Sequence, residues 1–322
     1  MTISRVRWAV LITAFFVLLF GAYAGLYFGY FIPTFSCCYV RARAGTCFML
    51  TLQQTLGTFT WNSMIIFGER FIYFSILVII LGRAWCGWMC PLGFFQDVLD
   101  WIRMKLNIGY VRFSRKLKKS LNWVKWAFFS VAMLIPLWVA FPFCCPVAAL
   151  NLNIPYCQLC PGKYILPLVV GNPDRIAVNF NSAANVVMST LGLTFSAMTM
   201  VGALIKRRFF CTFCPLGLMM SWYRKISFFK LKKNDEKCTR CEICYNVCPV
   251  EIEDVYKSRG KTDVTFTDCT LCLKCVENCP EDGALSAEYL GKTIYRSSAE
   301  KFFSKRKNGA EAMIKIQNCK EK

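Results

Sequence analysis

The sequence predicts a membrane α-helical domain of four transmembrane helices, built as two repeats, followed by a small α+β domain. Three observations carry this prediction. Apolar stretches of membrane-crossing length recur through the first two-thirds, a cysteine motif returns at the same place in each half, and near Asn234 the composition turns polar and cysteine-dense.

With 56% hydrophobic residues the chain has enough apolar surface for a large soluble core or for several spans, so periodicity decides. The stretches are Trp8–Phe31, Trp61–Leu81, Val124–Val139 and Ala183–Ile205. Most approach the ~20 residues that cross a ~30 Å hydrocarbon layer. Val124–Val139 is the shortest and needs Phe141 or Leu121–Trp123 to reach that length. The first stretch lacks the small-residue cleavage site of a signal peptide before Pro33, and it is read as a helix.

A net charge of +20 raises nucleic acid as a partner, but the charges sit beside the spans. Arg5 and Arg7 precede the first. Arg103, Lys105, Arg112, Arg115, Lys116, Lys118 and Lys119 lie between the second and third, and Lys206, Arg207, Arg208, Arg224 and Lys225 follow the fourth. The alternate loops carry only Arg41, Arg43, Lys163 and Arg175. The positive-inside rule then places both termini in the cytoplasm; the expected setting is a multi-pass protein of a prokaryotic cytoplasmic membrane, without nucleic acid as a partner. Basic residues beyond this topological need would meet anionic lipid headgroups or an acidic partner.

The repeat is visible in RAWCGWMCPLGFFQDVLDWIRMKL, ending at Leu106, against RFFCTFCPLGLMMSWYRKISFFKL, ending at Leu231. Each half reads as a span, an outer loop with cysteines, a second span and a Cys–Pro–Leu–Gly motif at the inner end. The expected organisation is a membrane domain over 1–233, with repeats of about 1–120 and 121–233. A cytoplasmic domain over 234–290 follows, then a charged tail over 291–322 with a possible short helix at Ala310–Ile316 and an isolated Cys319. Repeated helix pairs commonly share a site on the axis relating them.

Twenty cysteines and no histidine exclude His-ligated haem, His-based acid–base catalysis and His-containing zinc sites within this chain. Cys238, Cys241, Cys244 and Cys248 before Pro249, and Cys269, Cys272, Cys275 and Cys279 before Pro280, are two copies of the bacterial ferredoxin run. Three thiolates of each run bind one [4Fe–4S] cluster and the fourth binds the other. The expected ligand sets are therefore Cys238, Cys241, Cys244 and Cys279, and Cys269, Cys272, Cys275 and Cys248. Neither zinc knuckles nor a disulfide framework needs this doubled spacing with terminal proline.

Cys86 and Cys90 before Pro91, and Cys211 and Cys214 before Pro215, fall where the second and fourth spans reach the inner face. Together they offer four thiolates for a third [4Fe–4S] cluster. Alternatively, each motif is only a turn in which proline ends a helix and Gly93 or Gly217 allows close packing. Four spans, two Cys–Pro motifs and a C-terminal pair of ferredoxin runs resemble the NapH, NosR and CcoG group of membrane polyferredoxins, over most of the chain. The resemblance implies an electron-transfer subunit that takes electrons from quinol, or exchanges them with other subunits of a redox complex.

On the opposite side Cys37, Cys38 and Cys47, and Cys144, Cys145, Cys157 and Cys160, lie in the outer loops. They are read as ligands of at least one further Fe–S cluster at the outer face, with disulfides as the alternative. Glu69 and Arg70 read as an interfacial pair instead of part of a quinone site, and Asp97 and Asp100 as ion-paired. Function is expected to be one-electron transfer between quinol or an outer partner and a cytoplasmic partner. A stand-alone copper-ion reductase and a redox sensor or assembly factor are the other classes.

Overall fold

The computed structural model describes residues 2–28, 40, 44–58, 60–109, 111–140, 154–176, 178 and 183–307. Cys37, Cys38, Cys144, Cys145, Cys319 and the expected helix at 310–316 lie outside the described residues. Among those described, four helices are long and apolar enough to cross a membrane: Ile3–Ala24, Trp61–Leu81, Lys116–Val139 and Asn185–Ile205. The protein is a membrane protein with a C-terminal module carrying a small sheet.

Helix α1 (Ile3–Phe20) begins earlier than the apolar stretch suggested. Arg7, expected to flank the span, lies inside it, fully buried against Asp97. Helix α2 (Phe48–Thr58) is short, and α3 (Trp61–Leu81) is the second span. Helix α3 stops at Gly82, whose φ of 57° and ψ of −147° suit glycine alone. The chain then turns through α4 (Ala84–Trp88) into α5 (Pro91–Lys105). The third span, α6 (Arg115–Val139), gains length at its basic end, where the Ser114 hydroxyl accepts from the Leu117 amide at 3.3 Å. Two short helices, α7 (Pro155–Leu159) and α8 (Pro161–Val170), precede the fourth span α9 (Ala183–Ile205), which is followed by α10 (Pro215–Trp222).

The described parts of the expected outer loops are not surface loops. Helix α2 packs between α3 and α6, and α7 and α8 pack against α9. Their sequences favour this burial. Phe48 stacks on Phe74 with 4.2 Å between centroids, while Met49, Leu52, Tyr156, Ile165 and Leu166 are buried. Polar groups entering the interior are bonded, as where the Thr55 hydroxyl donates to Thr51 O at 3.0 Å and Arg70 Nη1 to Thr51 Oγ1 at 3.0 Å. Arg70 thus fastens α3 to α2, and Glu69 beside it is exposed. Lys163, expected on an outer loop, is buried in α8.

The C-terminal module has one antiparallel sheet in the order β1 (Phe229–Lys233), β2 (Leu285–Tyr289), β3 (Lys292–Arg296). Phe229 pairs with Tyr289 and Lys233 with Leu285. Strands β2 and β3 join through Leu290 and Gly291, both at positive φ (50° and 78°), as a two-residue hairpin turn requires. The sheet therefore draws in residues on either side of the 234–290 segment. Helix Ala299–Lys307 follows it.

The module docks on one end of the helix bundle, here the module end. Trp88 Nε1 donates to Leu271 O at 2.9 Å, the Phe228 amide to Ile79 O at 2.9 Å, and Ser4 bonds Glu277. Lys206 pairs with Glu251 at 2.9 Å and Lys125 with Asp268 at 2.8 Å. Gly87 sits so close to Thr270 O and the Cys272 amide that a Cβ there would meet backbone. Gly87→Val is expected to destabilise the docked state by about 1–3 kcal/mol. Limited proteolysis between Lys225 and Asn234 should then speed up, and unchanged cleavage would refute this close approach.

Candidate functional site

Each ferredoxin run folds as a loop with the same backbone signature. Arg240 and Glu242 flank Cys241 at φ of 56° and 60°, and Leu271 and Leu273 flank Cys272 at 49° and 58°. Left-handed backbone at non-glycine residues is costly, and its recurrence on both sides of the second cysteine marks a constraint on the loop. Cys238, Cys241, Cys244 and Cys279 line one cavity, and Cys248, Cys269, Cys272 and Cys275 line another, with Cys244 between the two. The crosswise sets expected from spacing are thus brought together.

Burial pushes the Cys244 thiol up to about 12, with Cys241, Cys238 and Cys279 adding to it, and pushes Cys269 up to about 12. Cys248 is likewise raised by burial to about 11, while the amides of Ile252, Val250 and Glu251 donate toward its sulfur and oppose the shift. Thiols held this high stay protonated near neutral pH unless iron displaces the proton. Among the described residues no three Cys, Asp or Glu side chains converge as ligands of a single ion. Sulfurs ringing a cavity fit a cubane, where each iron takes its own ligand.

The second cysteine group is at the module end. Cys90 and Cys214 are the N-caps of α5 and α10, with φ/ψ of −66°/119° and −61°/114°, and each is followed by proline at the first helical position. Cys86 and Cys211 sit on the short helical turns just before them. The four form one group. Burial and the charges of Cys86 and Cys211 push Cys90 up to about 12, and Cys214, raised by burial, also senses Cys86, Cys211 and Cys90. Gln96 Nε2 reaches Cys211 Sγ at 4.0 Å while its Oε1 accepts from the Phe210 amide at 2.9 Å.

Two arginines stand three residues before the first cysteine of each motif, a signal present in RAWC and RFFC but overlooked in the sequence. Each reaches into the opposite repeat. Arg208 lies over Gly93 and donates to Cys86 O at 2.8 Å, while Arg83 lies over Gly217. Glycine in Cys–Pro–Leu–Gly therefore makes room for the guanidinium of the other half. Arg83 also bonds Thr267 O and faces Cys86, Cys211 and Cys269, and Arg208 faces Cys211 and Cys272. Both cations thus stand between the module-end thiols and the second ferredoxin loop. The buried Arg83 Nε–H has no hydrogen-bond partner among the described residues and would be free to donate to the sulfide of a cluster held there.

Asp97, expected to pair with neighbouring bases, instead holds Arg7 and Arg208, the latter through Nε at 3.0 Å and Nη2 at 2.8 Å. Burial alone would raise its pKa, but Arg208 and Arg7 outweigh this and hold the carboxyl well below the usual range. Asp100 pairs with Arg103 at 2.6 Å and with Arg207 at 3.6 Å. A cavity of about 910 Å³ opens beside the site, reaching Cys211 from a rim that includes Trp126 and Trp222, with Lys118, Lys125, Lys206 and Glu251 in its wall.

Cys47, Cys157 and Cys160 lie within the bundle. They pack in the same apolar cluster as Cys86 and Cys214.

A model of a 4Fe-4S binding domain matches residues 70–109 and 188–234, and a model of a 4Fe-4S dicluster domain matches residues 230–280. An uncharacterized protein of Methanocaldococcus jannaschii is 24% identical over 270 residues, which is 83% of this chain and 93% of that protein. A second from the same organism is 27% identical, covering 77% of this chain and 82% of its own length. The ferredoxin-type protein NapH of Haemophilus influenzae is 30% identical, covering 63% and 61%. No solved structure matches significantly. Bundle, cysteine groups and matching models define a membrane-bound iron–sulfur protein of the polyferredoxin class. Within that class, the chain is similar to ferredoxin-type proteins such as NapH.

Proposed function

We propose that the chain is the membrane iron–sulfur subunit of a redox complex, passing single electrons between a membrane donor or acceptor and a partner at the module. The observation that carries this reading is the continuity of the cysteine groups: the Thr270–Cys272 loop packs on Gly87, between Cys86 and Trp88, and Arg83 and Arg208 face sulfurs on both sides of that seam. Iron–sulfur cubanes held there supply reversible one-electron chemistry. The residues ligate, exclude water and set the potential: amides donate to Cys248, and the two guanidiniums favour the more negative reduced state.

Three clusters are assigned, on the two crosswise sets and on Cys86, Cys90, Cys211 and Cys214. Quinone is the membrane-side reactant in this reading, its ring approaching Cys211 past Trp126 and Trp222 at the edge of the 910 Å³ cavity, whose further wall is strongly charged and holds the Lys206–Glu251 pair. Basic residues at the module end support a cytoplasmic module with both termini inside, in the cytoplasmic membrane, and the exposed module face meets other subunits of the complex.

An anaerobic EPR redox titration of the purified chain tests this. At least three one-electron centres are expected, with Cys238→Ser plus Cys279→Ser removing the signal of one ferredoxin centre alone. A chain without reducible iron would overturn the reading. Arg83→Gln should lower the potential of the module-end centre by roughly 60 mV, the one-electron equivalent of ~1.4 kcal/mol. An unmoved potential would show Arg83 to be only a structural contact.

A further inference from the structure

The cysteines inside the bundle repeat the construction of the module-end group at three of its four positions. Cys157 and Cys160 before Pro161 have the spacing of Cys211 and Cys214 before Pro215. Cys160 is the N-cap of α8 at φ −65° and ψ 123°, matching Cys90 and Cys214. Cys157 sits on the short helix just before it, as Cys86 and Cys211 sit before theirs. Cys47 immediately precedes α2, as Cys90 precedes α5.

The supporting glutamine is repeated as well. Gln96 follows Cys90 by six residues, and Gln53 follows Cys47 by six. Gln96 Nε2 donates to Leu92 O, four residues back, and to Cys211 Sγ, while its Oε1 accepts from the Phe210 amide, the residue before Cys211. Gln53 Nε2 donates to Met49 O, four residues back, at 3.0 Å and to Cys157 Sγ at 3.7 Å. Its Oε1 accepts from the Tyr156 amide, the residue before Cys157, at 2.9 Å. A satisfied core glutamine needs none of this correspondence.

The surroundings also suit an anionic group. Lys163, 1% exposed, is a buried cation on the first turn of α8, where its ammonium bonds Gln158, and Cys160 stands at the positive N-terminal end of that helix. Tyr156 lies in the electrostatic neighbourhood of Cys160, Cys214, Cys47 and Cys157, and so stands between the two groups. Depth follows from the rings around it. Tyr156 contacts Phe128, with 5.7 Å between centroids, and Phe128 contacts Phe195, ten residues before the module end of α9. That is roughly 15 Å along the helix axis, well inside the bundle.

We propose that Cys47, Cys157 and Cys160 bind three irons of a further [4Fe–4S] cluster in the interior of the membrane domain, its fourth iron taking a non-cysteine ligand, one step from the module-end cluster past Tyr156. These residues lie outside the segments matched by either 4Fe-4S model. The sequence placed their cluster at the outer face; the half-length helices carry the site inward. Transfer moves one electron and no atoms: the module-end cluster is oxidised by one unit as this one is reduced by one, or the reverse. The inference rests on the electron-transfer reading above and extends its path into the bilayer.

The test is iron and acid-labile sulfide per chain in anaerobically purified full-length protein, compared between wild type, Cys157→Ser/Cys160→Ser and Cys211→Ser/Cys214→Ser. Each double variant is expected to lose about four irons and four sulfides, with the ferredoxin EPR signals retained. Undiminished iron in Cys157→Ser/Cys160→Ser, alongside a loss in Cys211→Ser/Cys214→Ser, overturns this inference and leaves the wider reading intact. No loss in either variant overturns the module-end site as well. Should the first variant fail to insert, wild-type iron decides: about sixteen atoms or more supports the interior cluster, and about twelve or fewer overturns it.

Discussion

Replacing Cys211 and Cys214 together by serine is expected to disconnect the module from the membrane. All four module-end sulfurs lie in one half-buried group, two from each repeat, so removing one repeat's pair leaves Cys86 and Cys90 unable to hold a cubane. Ferredoxin clusters on the crosswise sets keep their ligands and still accept electrons from dithionite. Reduction by a lipid-soluble quinol should fall to background. The pair of measurements matters, because a variant that merely misfolds loses both, whereas loss of the intermediate site loses only the second. Retained quinol reduction would mean that electrons enter the module directly.

Asp97→Asn is expected to lower stability by about 3–5 kcal/mol, since it leaves two buried guanidiniums without their carboxylate. Arg7 comes from the first span, Asp97 from the helix after Cys90, and Arg208 from the turn before Cys211, so this one carboxylate joins three separate elements. The melting temperature of the detergent-solubilised protein measures the effect, with Asp97→Glu as the conservative comparison. The pH dependence follows in sign. The folded pKa is depressed below the ordinary 3.8, so the contribution is fully present above about pH 3.8 and is lost only as pH falls from there through the folded value. The gap between wild type and Asp97→Asn should stay constant from pH 8 to 5. A gap that closes within that range would mean that Asp97 is not the charged partner of both arginines.

Much of the site was legible in the residues because local spacing dictates it. Proline after a cysteine fixes a helix start, and two-residue gaps suit a cluster loop, so the crosswise ferredoxin sets and the pairing of the two inner motifs came from the chain alone. The left-handed residues Arg240, Glu242, Leu271 and Leu273 carried no such sign, since glycine is absent where the backbone turns. Charge was misleading for a related reason. Arg7, Lys163, Lys206 and Arg208 counted as flanking or loop charges, yet all are buried. A positive-inside count sees sequence position but not the carboxylate, amide or thiol that burial supplies.

By itself, the sequence determined four spans and the iron–sulfur class of the protein, and its short-range period and spacing led to the expected repeat and ferredoxin ligand sets. Only the tertiary structure decided where Cys47, Cys157 and Cys160 go. Apolar residues on Phe48–Thr58 and Pro155–Val170 bury more surface between the spans than they would over them, and their polar atoms find partners there. That long-range packing turns expected outer loops into interior helices and brings Gln53, Cys47, Cys157 and Cys160 into the arrangement already used by Gln96, Cys90, Cys211 and Cys214.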